Sequence, residues 1–244
     1  MRFSIVIPAH NEAENLPPLI AETIAATAAS PPEAIIVVDD GSTDGTADRL
    51  RRLASGGVPV RVLRHDRRQG QSAALMTGVK DATTPWIMTM DGDGENDPGD
   101  MARLLARAGE RGPTAALVGG LRRRRQAVWS KRLASRLANA VRSRLLGDGC
   151  PDTGCGLKLF RRDAFLALPA FDGMHRFLPA LFQMDGHAVA YVDVNDRERR
   201  HGHSHYGNVA RGFKGIADIA RILRLRRRRL ALGAVDHSQD QRSS

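Results

Sequence analysis

Aromatic residues make up only 5% of this chain's 244 residues, cysteines number two, and no low-complexity linker divides it. No apolar run approaches the roughly 18 to 20 residues needed to span a bilayer. Each shortage excludes something. Without a linker, the length suits one sizeable core, or one core with a smaller appendage. Cys150 and Cys155 stand in a C-x4-C spacing with neither the second pair nor the histidines of a zinc site, so they read as small packing residues in a reducing compartment. The opening MRFSIVIPAH is a strand followed by proline rather than a signal peptide, and the expected location is the cytoplasm. Arginine runs at 122–125 and 226–229 raise a nucleic-acid reading, but with few aromatics and no recognition motif beside them no nucleic-acid partner is expected.

What is abundant is charge, unevenly placed. Residues 1–120 carry 12 Lys and Arg against 16 Asp and Glu, a net of −4, whereas residues 121–244 carry 25 against 11, a net of +14. The two halves have different jobs. A basic half of that size attracts phosphate in some form, whether nucleic acid, anionic lipid or a phosphorylated substrate.

The acidic half alternates short apolar runs with helical stretches. Strands are expected over 2–7, 34–38, 58–63, 86–90 and 115–118, and helices over 14–28, 44–54, 70–79 and 98–108. Ser42 or Thr43 is the cap candidate for the second helix, and Pro98 sits near the first turn of the fourth. Continuous apolar strands separated by helices imply an α/β fold with a mostly parallel central sheet covered on both faces. Ligands then bind beyond the carboxyl ends of the strands, where Pro8–Glu12, Asp39–Asp44 and Asp91–Asp97 converge. Within the last of these, Asp91 and Asp93 form a DxD pair at a strand end. Two readings suit it: an acidic turn freed by Gly92 and Gly94, or a hold for Mg2+ or Mn2+ against a diphosphate.

The series IVIPAHNEAENL, IIVVDDGSTDGT, RQGQSAALMTG and MDGDGENDP resembles the family 2 glycosyltransferases. VGGLR, WSKRLASRLANAVRSRLL, DTGCGLKLFRRD, HRFLPAL and RERRHGHSHYG narrow the resemblance to polyprenyl-phosphate glycosyltransferases of the dolichyl-phosphate mannose synthase type. The resemblance implies a glycosyltransferase A fold, a nucleotide-diphosphate sugar donor and a polyprenyl phosphate acceptor. It implies that Pro8, Glu12, Asp39 and Asp40 line the nucleotide pocket, with Asp40 near the ribose. Asp91 and Asp93 would hold the metal and diphosphate, with Glu95 beside them where relatives often have glutamine. Arg122, Lys131, Ser135 and Arg199 match the family's phosphate-binding positions, Lys131 standing where arginine is usual. Catalysis would rest on Asp91, Asp93, Arg122 and Arg199.

A lipid monophosphate is already anionic near neutral pH, so such an acceptor needs cations to orient it rather than a strong base. Asp152 is the one nearby carboxylate kept as a base candidate, against its reading as a turn residue. In RERRHGHSHYG, His201, His203 and His205 alternate along an extended run and invite a metal reading. No fourth ligand accompanies them, and the segment reads instead as a phosphate-binding loop containing Ser204 and His205, hinged at Gly202 and Gly207.

Three domains are expected: a catalytic domain over 1–206, a basic amphipathic interfacial helix over 207–232, and a disordered polar tail over 233–244. The helix mixes Ile216, Ile219, Ile222, Leu223 and Leu225 with six arginines between Arg221 and Arg229, a pattern suited to an anionic membrane surface at the inner face of the cell membrane. The expected reaction is metal-dependent, inverting transfer to polyprenyl phosphate. The alternative is a family 2 transferase acting on a sugar hydroxyl.

Overall fold

The computed structural model describes residues 1–112, 115–122, 142–198 and 217–227. The first half runs β1 (Phe3–Ala9), α1 (Leu16–Ala26), β2 (Ile35–Asp39), α2 (Thr46–Ser55), β3 (Val60–Arg64), α3 (Gln71–Asp81), β4 (Trp86–Thr89) and α4 (Met101–Arg111), the last entered through a 3-10 turn at Pro98–Asp100. Then come β5 (Ala115–Arg122), a short α5 over 142–146, β6 (Lys158–Arg161), α6 (Arg162–Ala167), α7 (Leu178–Met184), β7 (Ala188–Val194) and α8 over 217–227.

The seven strands lie in the order β3-β2-β1-β4-β6-β5-β7. All neighbours are parallel except those of β6, which runs against both β4 and β5. The mostly parallel sheet expected from the sequence is present, and its one reversed strand was not legible there. β1 is central, with Ile5 opposite Ile35 on one side and Met88 on the other. Because side chains alternate along a strand, Phe3, Ile5 and Ile7 feed one core cluster and Val6 the other. Leu16, Leu19, Leu50, Met101 and Leu104 from α1, α2 and α4 cover the first face. Leu75, Val79, Phe165 and Leu181 from α3, α6 and α7 cover the second. Fully burying one such side chain contributes about 1.5 to 3 kcal/mol. β3, at the edge, is buried only at Val60.

One local expectation needs correction. α2 is not capped by Ser42 or Thr43. Gly45 takes the cap position at φ +86, and Asp44 Oδ1 accepts from the Thr46 backbone at 3.1 Å. Ser42 is used elsewhere, its Oγ accepting from the Asn11 N–H at 2.9 Å.

In α8, the described part of the expected interfacial helix, Ile222 is buried in the second core cluster, and Ile219 and Leu223 pack against it. Arg221, Arg224, Arg226 and Arg227 are exposed. Ile216, Arg228, Arg229 and the tail lie outside the described residues. Among the described residues no helix is long and apolar enough to cross a membrane.

Candidate active site

After β3 at the edge, the chain returns to β4 on the other side of β1, and this reversal opens a crevice at the carboxyl ends of the strands. A cleft of about 750 Å³ lies there. Pro8, Glu12, Asp40, Asp91, Asp93, Glu95 and Arg122 all line it, so the three acidic loops do converge. A second hollow, lined by Met1, Arg2 and Trp86, lies at the opposite strand ends and holds none of these residues.

The loops after β1 and β2 are laced together. Asn11, the one described non-glycine residue at positive φ, accepts through Oδ1 from the Thr43 N–H at 2.8 Å. The Glu12 N–H donates to Thr46 Oγ1 at 3.0 Å and the Ala13 N–H to Asp44 Oδ2 at 3.2 Å. Burial works against ionisation of Asp44, but its hydrogen bonds from Thr46 and Ala13 prevail and hold its pKa below the usual value.

Asp40 lines the cleft with both carboxylate oxygens engaged. Oδ1 contacts His65 Nδ1 at 2.7 Å and accepts from the Gln69 N–H at 2.8 Å, while Oδ2 accepts from the Gly70 N–H at 2.7 Å. Burial opposes its charge, yet these bonds keep its pKa lowered. Its evident work is to pin the turn that leads into α3. Asp39 is fully buried, directed by strand alternation toward the same face as Ile35 and Val37, and is absent from the cleft lining. Its Oδ1 accepts from the Ser42 N–H at 2.9 Å, and Arg64 Nε lies 3.5 Å from Oδ2.

Asp91 sits at the mouth of β4. Its N–H donates to Asn96 Oδ1 at 3.0 Å, and its Oδ1 accepts from Gln71 Nε2 at 2.8 Å. Burial, then the charge of Asp93, raise its pKa to about 6; Lys158 and Arg122 oppose this and Glu95 adds to it. The Asp91, Asp93 and Glu95 carboxylates gathered in one cleft form an oxygen donor set that suits a hard divalent cation. Among the described residues no three His, Cys, Asp or Glu side chains form a metal-holding group by themselves. Asp91, Asp93 and Glu95 would suit an ion that shares its shell with substrate phosphates.

Arg122, at the end of β5, lines the cleft already forked onto Asp152, with Nε and Nη2 donating at 2.7 and 2.8 Å. The base candidate Asp152 is thus committed to a guanidinium. Burial disfavours the Arg122 charge, but the Asp152 partnership more than restores it. Cys155 is also in the lining; burial pushes its thiol up to about 11, so it is no nucleophile near neutrality. Lys131, Ser135, Arg199, Ser204 and His205 lie outside the described residues.

Gln71, Lys158, His175 and Arg176 are among the cleft residues that escaped sequence reasoning. Their motifs, RQGQSAALMTG, DTGCGLKLFRRD and HRFLPAL, were visible, but nothing in spacing showed that they face the DxD loop. Lys158 is buried at the start of β6 and donates to the Cys155 carbonyl, bringing an ammonium to the carboxylates.

The family model for "Glycosyl transferase family 2" matches residues 4–168. The chain belongs to that family. This family 2 transferase is 33% identical over 228 residues to dodecaprenyl-phosphate galacturonate synthase of Rhizobium johnstonii, covering 91% of this chain and 67% of that protein. It is 35% identical over 208 residues to undecaprenyl-phosphate 4-deoxy-4-formamido-L-arabinose transferase of Serratia proteamaculans, covering 84% and 63%. The transferase thus spans less than two thirds of the second relative and about that share of the first. In fold it is similar to mannosyl-3-phosphoglycerate synthase from Rubrobacter xylanophilus, with TM-score 0.71 and 22% identity over 93% of this chain and 75% of that one. It is also similar to glucosyl-3-phosphoglycerate synthase from Mycobacterium tuberculosis, solved with Mn2+, uridine diphosphate and glucosyl-3-phosphoglycerate, at TM-score 0.65 and 22% identity over 92% and 79%.

Proposed function

We propose that this family 2 transferase moves a sugar from a nucleotide-diphosphate donor to a polyprenyl phosphate in a single inverting displacement. The observation that carries the reading is the meeting of the Asp91–Asp93 loop and the Arg122 end of β5 in one cleft, in a chain whose relatives are named for polyprenyl-phosphate sugar transfer. Pro8, Glu12 and Asp40 would border the nucleotide, and Asp91 and Asp93 would hold Mg2+ or Mn2+. When bound, that ion supplies neutralisation of charge on the departing diphosphate.

The protein's own residues do the rest. Gln71 and Asn96 fix the Asp91 carboxylate and backbone, so no reorganisation is needed when donor arrives. The acceptor phosphate is its own nucleophile and needs orientation by cations. Lys158 and Arg122 supply described charge for this, and Arg199 is proposed to add to it. The chain enters the 199–216 segment beside the DxD loop: the Arg197 N–H donates to Glu95 O at 3.1 Å, and its guanidinium donates to Asp97 Oδ1 at 2.6 Å and Glu22 Oε2 at 2.8 Å. That anchorage supports a role for Arg199, Ser204 and His205 at the substrate phosphates, and Lys131 and Ser135 are proposed for the acceptor.

A membrane-borne acceptor requires the cleft to sit at a lipid surface, and peripheral attachment at the cytoplasmic face is proposed. Attraction comes from exposed arginines of α8, each contributing on the order of 1 kcal/mol near an anionic surface. Transfer to a sugar hydroxyl is the second reading, favoured by one observation: Asp172, an exposed carboxylate, also lines the cleft. The test is incubation with Mg2+ or Mn2+, a polyprenyl phosphate and a panel of radiolabelled nucleotide sugars, followed by lipid extraction. Label in the lipid that vanishes with chelator is the expected result; label only in water-soluble glycosides would sink the reading.

A further inference from the structure

The turn Asp172–Arg176 meets helix α8 at the wall of the cleft. Arg176 lines the cleft, and its Nη2 donates to Asp218 Oδ2 at 2.8 Å. Asp218 is only 6% exposed. One helical turn on, Ile222 is seated in the core cluster with Phe177 and Leu178, which fixes where α8 places the carboxylate. The Arg221 guanidinium lies 5.4 Å from the Phe171 ring and adds a second hold.

Gly173 shapes the turn around this ion pair. It takes φ +94, and a β-carbon there would come within 2.9 Å of both Arg176 Nη2 and Asp218 Oδ2. The far side of the turn is tied to α3. The Gly173 and His175 N–H groups donate to Ser72 Oγ at 3.0 and 3.4 Å, so the Ser72 hydroxyl is turned to donate to His175 Nδ1 at 2.7 Å. Ser72 follows Gln71, which holds Asp91. A continuous run of contacts therefore leads from the C-terminal helix to the DxD loop. The pairing of Arg176 is single-pointed: its Nε is buried and has no hydrogen-bond partner among the described residues. Asp218 holds the guanidinium through Nη2, and the Arg176 side chain stays partly exposed.

We propose that Asp218 is a positioning residue of the cleft, holding Arg176 so that its guanidinium meets a phosphate oxygen of the substrates. Donor diphosphate and acceptor monophosphate share that chemistry. The inference rests on the transferase reading and extends it by making α8 part of the active cleft as well as a basic outer face.

Two ligands separate the sources: a nucleoside diphosphate with Mn2+, and a short-chain isoprenyl monophosphate in detergent micelles, each titrated into the full chain. Asp218→Asn weakens one or both by about tenfold, the scale of one lost charge-assisted contact. Asp218→Glu restores it, Arg176→Gln weakens the same ligand, and the double variant is no weaker than Arg176→Gln alone. In active preparations the loss falls on the matching KM more than on kcat. Unchanged binding of both ligands by Asp218→Asn, or additive losses in the double variant, overturns the proposal. Should Asp218→Asn fail to fold, Arg176→Gln decides by the same criterion. A wild type that binds both ligands yet transfers no sugar refutes the reaction and leaves the positioning role standing; one that binds neither refutes both.

Discussion

Gly156 lies against the Asp91 carboxylate so closely that a β-carbon there would come within 2.7 Å of Asn96 Oδ1 and nearer still to Asp91 Oδ2. The contact is locked from below, because Thr89 Oγ1 donates to the Gly156 carbonyl at 2.8 Å. Gly156→Ala must therefore push the carboxylate out of place. A displacement of this size at a reacting centre costs about 100-fold in rate. Steady-state kinetics against Mn2+ concentration would show it as a lower kcat and a weaker apparent metal affinity, and unchanged kinetics would mean that Asp91 is not held as described.

Asp91 also makes stability depend on pH. Its folded pKa of about 6 exceeds its ordinary value of 3.8, so the folded state binds the proton more tightly. This contribution to stability is full below about pH 4, fades as pH rises through about 6, and is absent above. Asp91→Asn removes the burden of the charge. In metal-free buffer at pH 7.5 the variant should be more stable than wild type by on the order of 1 to 3 kcal/mol, while binding Mn2+ poorly. Thermal melts from pH 4 to 8 in chelator check it; a variant less stable at pH 7.5 contradicts the crowding of the carboxylates.

The two acceptor readings diverge at Asp172. A phosphate acceptor needs no base, so Asp172→Asn should keep transfer within about threefold, whereas removal of a general base costs on the order of 100-fold or more. Initial rates with polyprenyl phosphate under saturating donor distinguish them.

Behind β7, Arg142 of α5 and Asp148 form a buried ion pair, joined by Arg142 Nη2 donating to the Cys150 carbonyl. Gln183 Nε2 and the Tyr191 hydroxyl both donate to the Asp148 carbonyl, at 3.2 and 3.3 Å. Asp148→Ala leaves a buried guanidinium without its counter-charge and should cost about 3 to 5 kcal/mol. Replacing both partners with apolar residues should cost less. Urea unfolding of the wild type and the two variants gives the comparison; equal losses would show that the backbone contacts, not the charges, stabilise this corner.

Much of the architecture follows from local pattern. Ile35, Ile36, Val37 and Val38 are apolar on both faces because the strand is covered on both, and that pattern predicts a sandwiched parallel sheet. Asp91 and Asp93 announce their place because turn chemistry and an apolar strand adjoin in the chain. Arg122 was legible as a cleft cation, but its fork with Asp152 was not, since 30 residues separate the partners.

Sequence by itself determined the periodicities, the acidic loops after three strands and the basic second half, all properties of neighbouring residues. Only tertiary structure decided that β6 reverses, that Asp40 pins the Gln69–Gly70 turn, and that α8 turns Ile222 inward and Asp218 toward Arg176. The physical reason is that an apolar helix face satisfies its pattern equally against lipid or protein. Which one it meets depends on the surface that the rest of the chain builds opposite it.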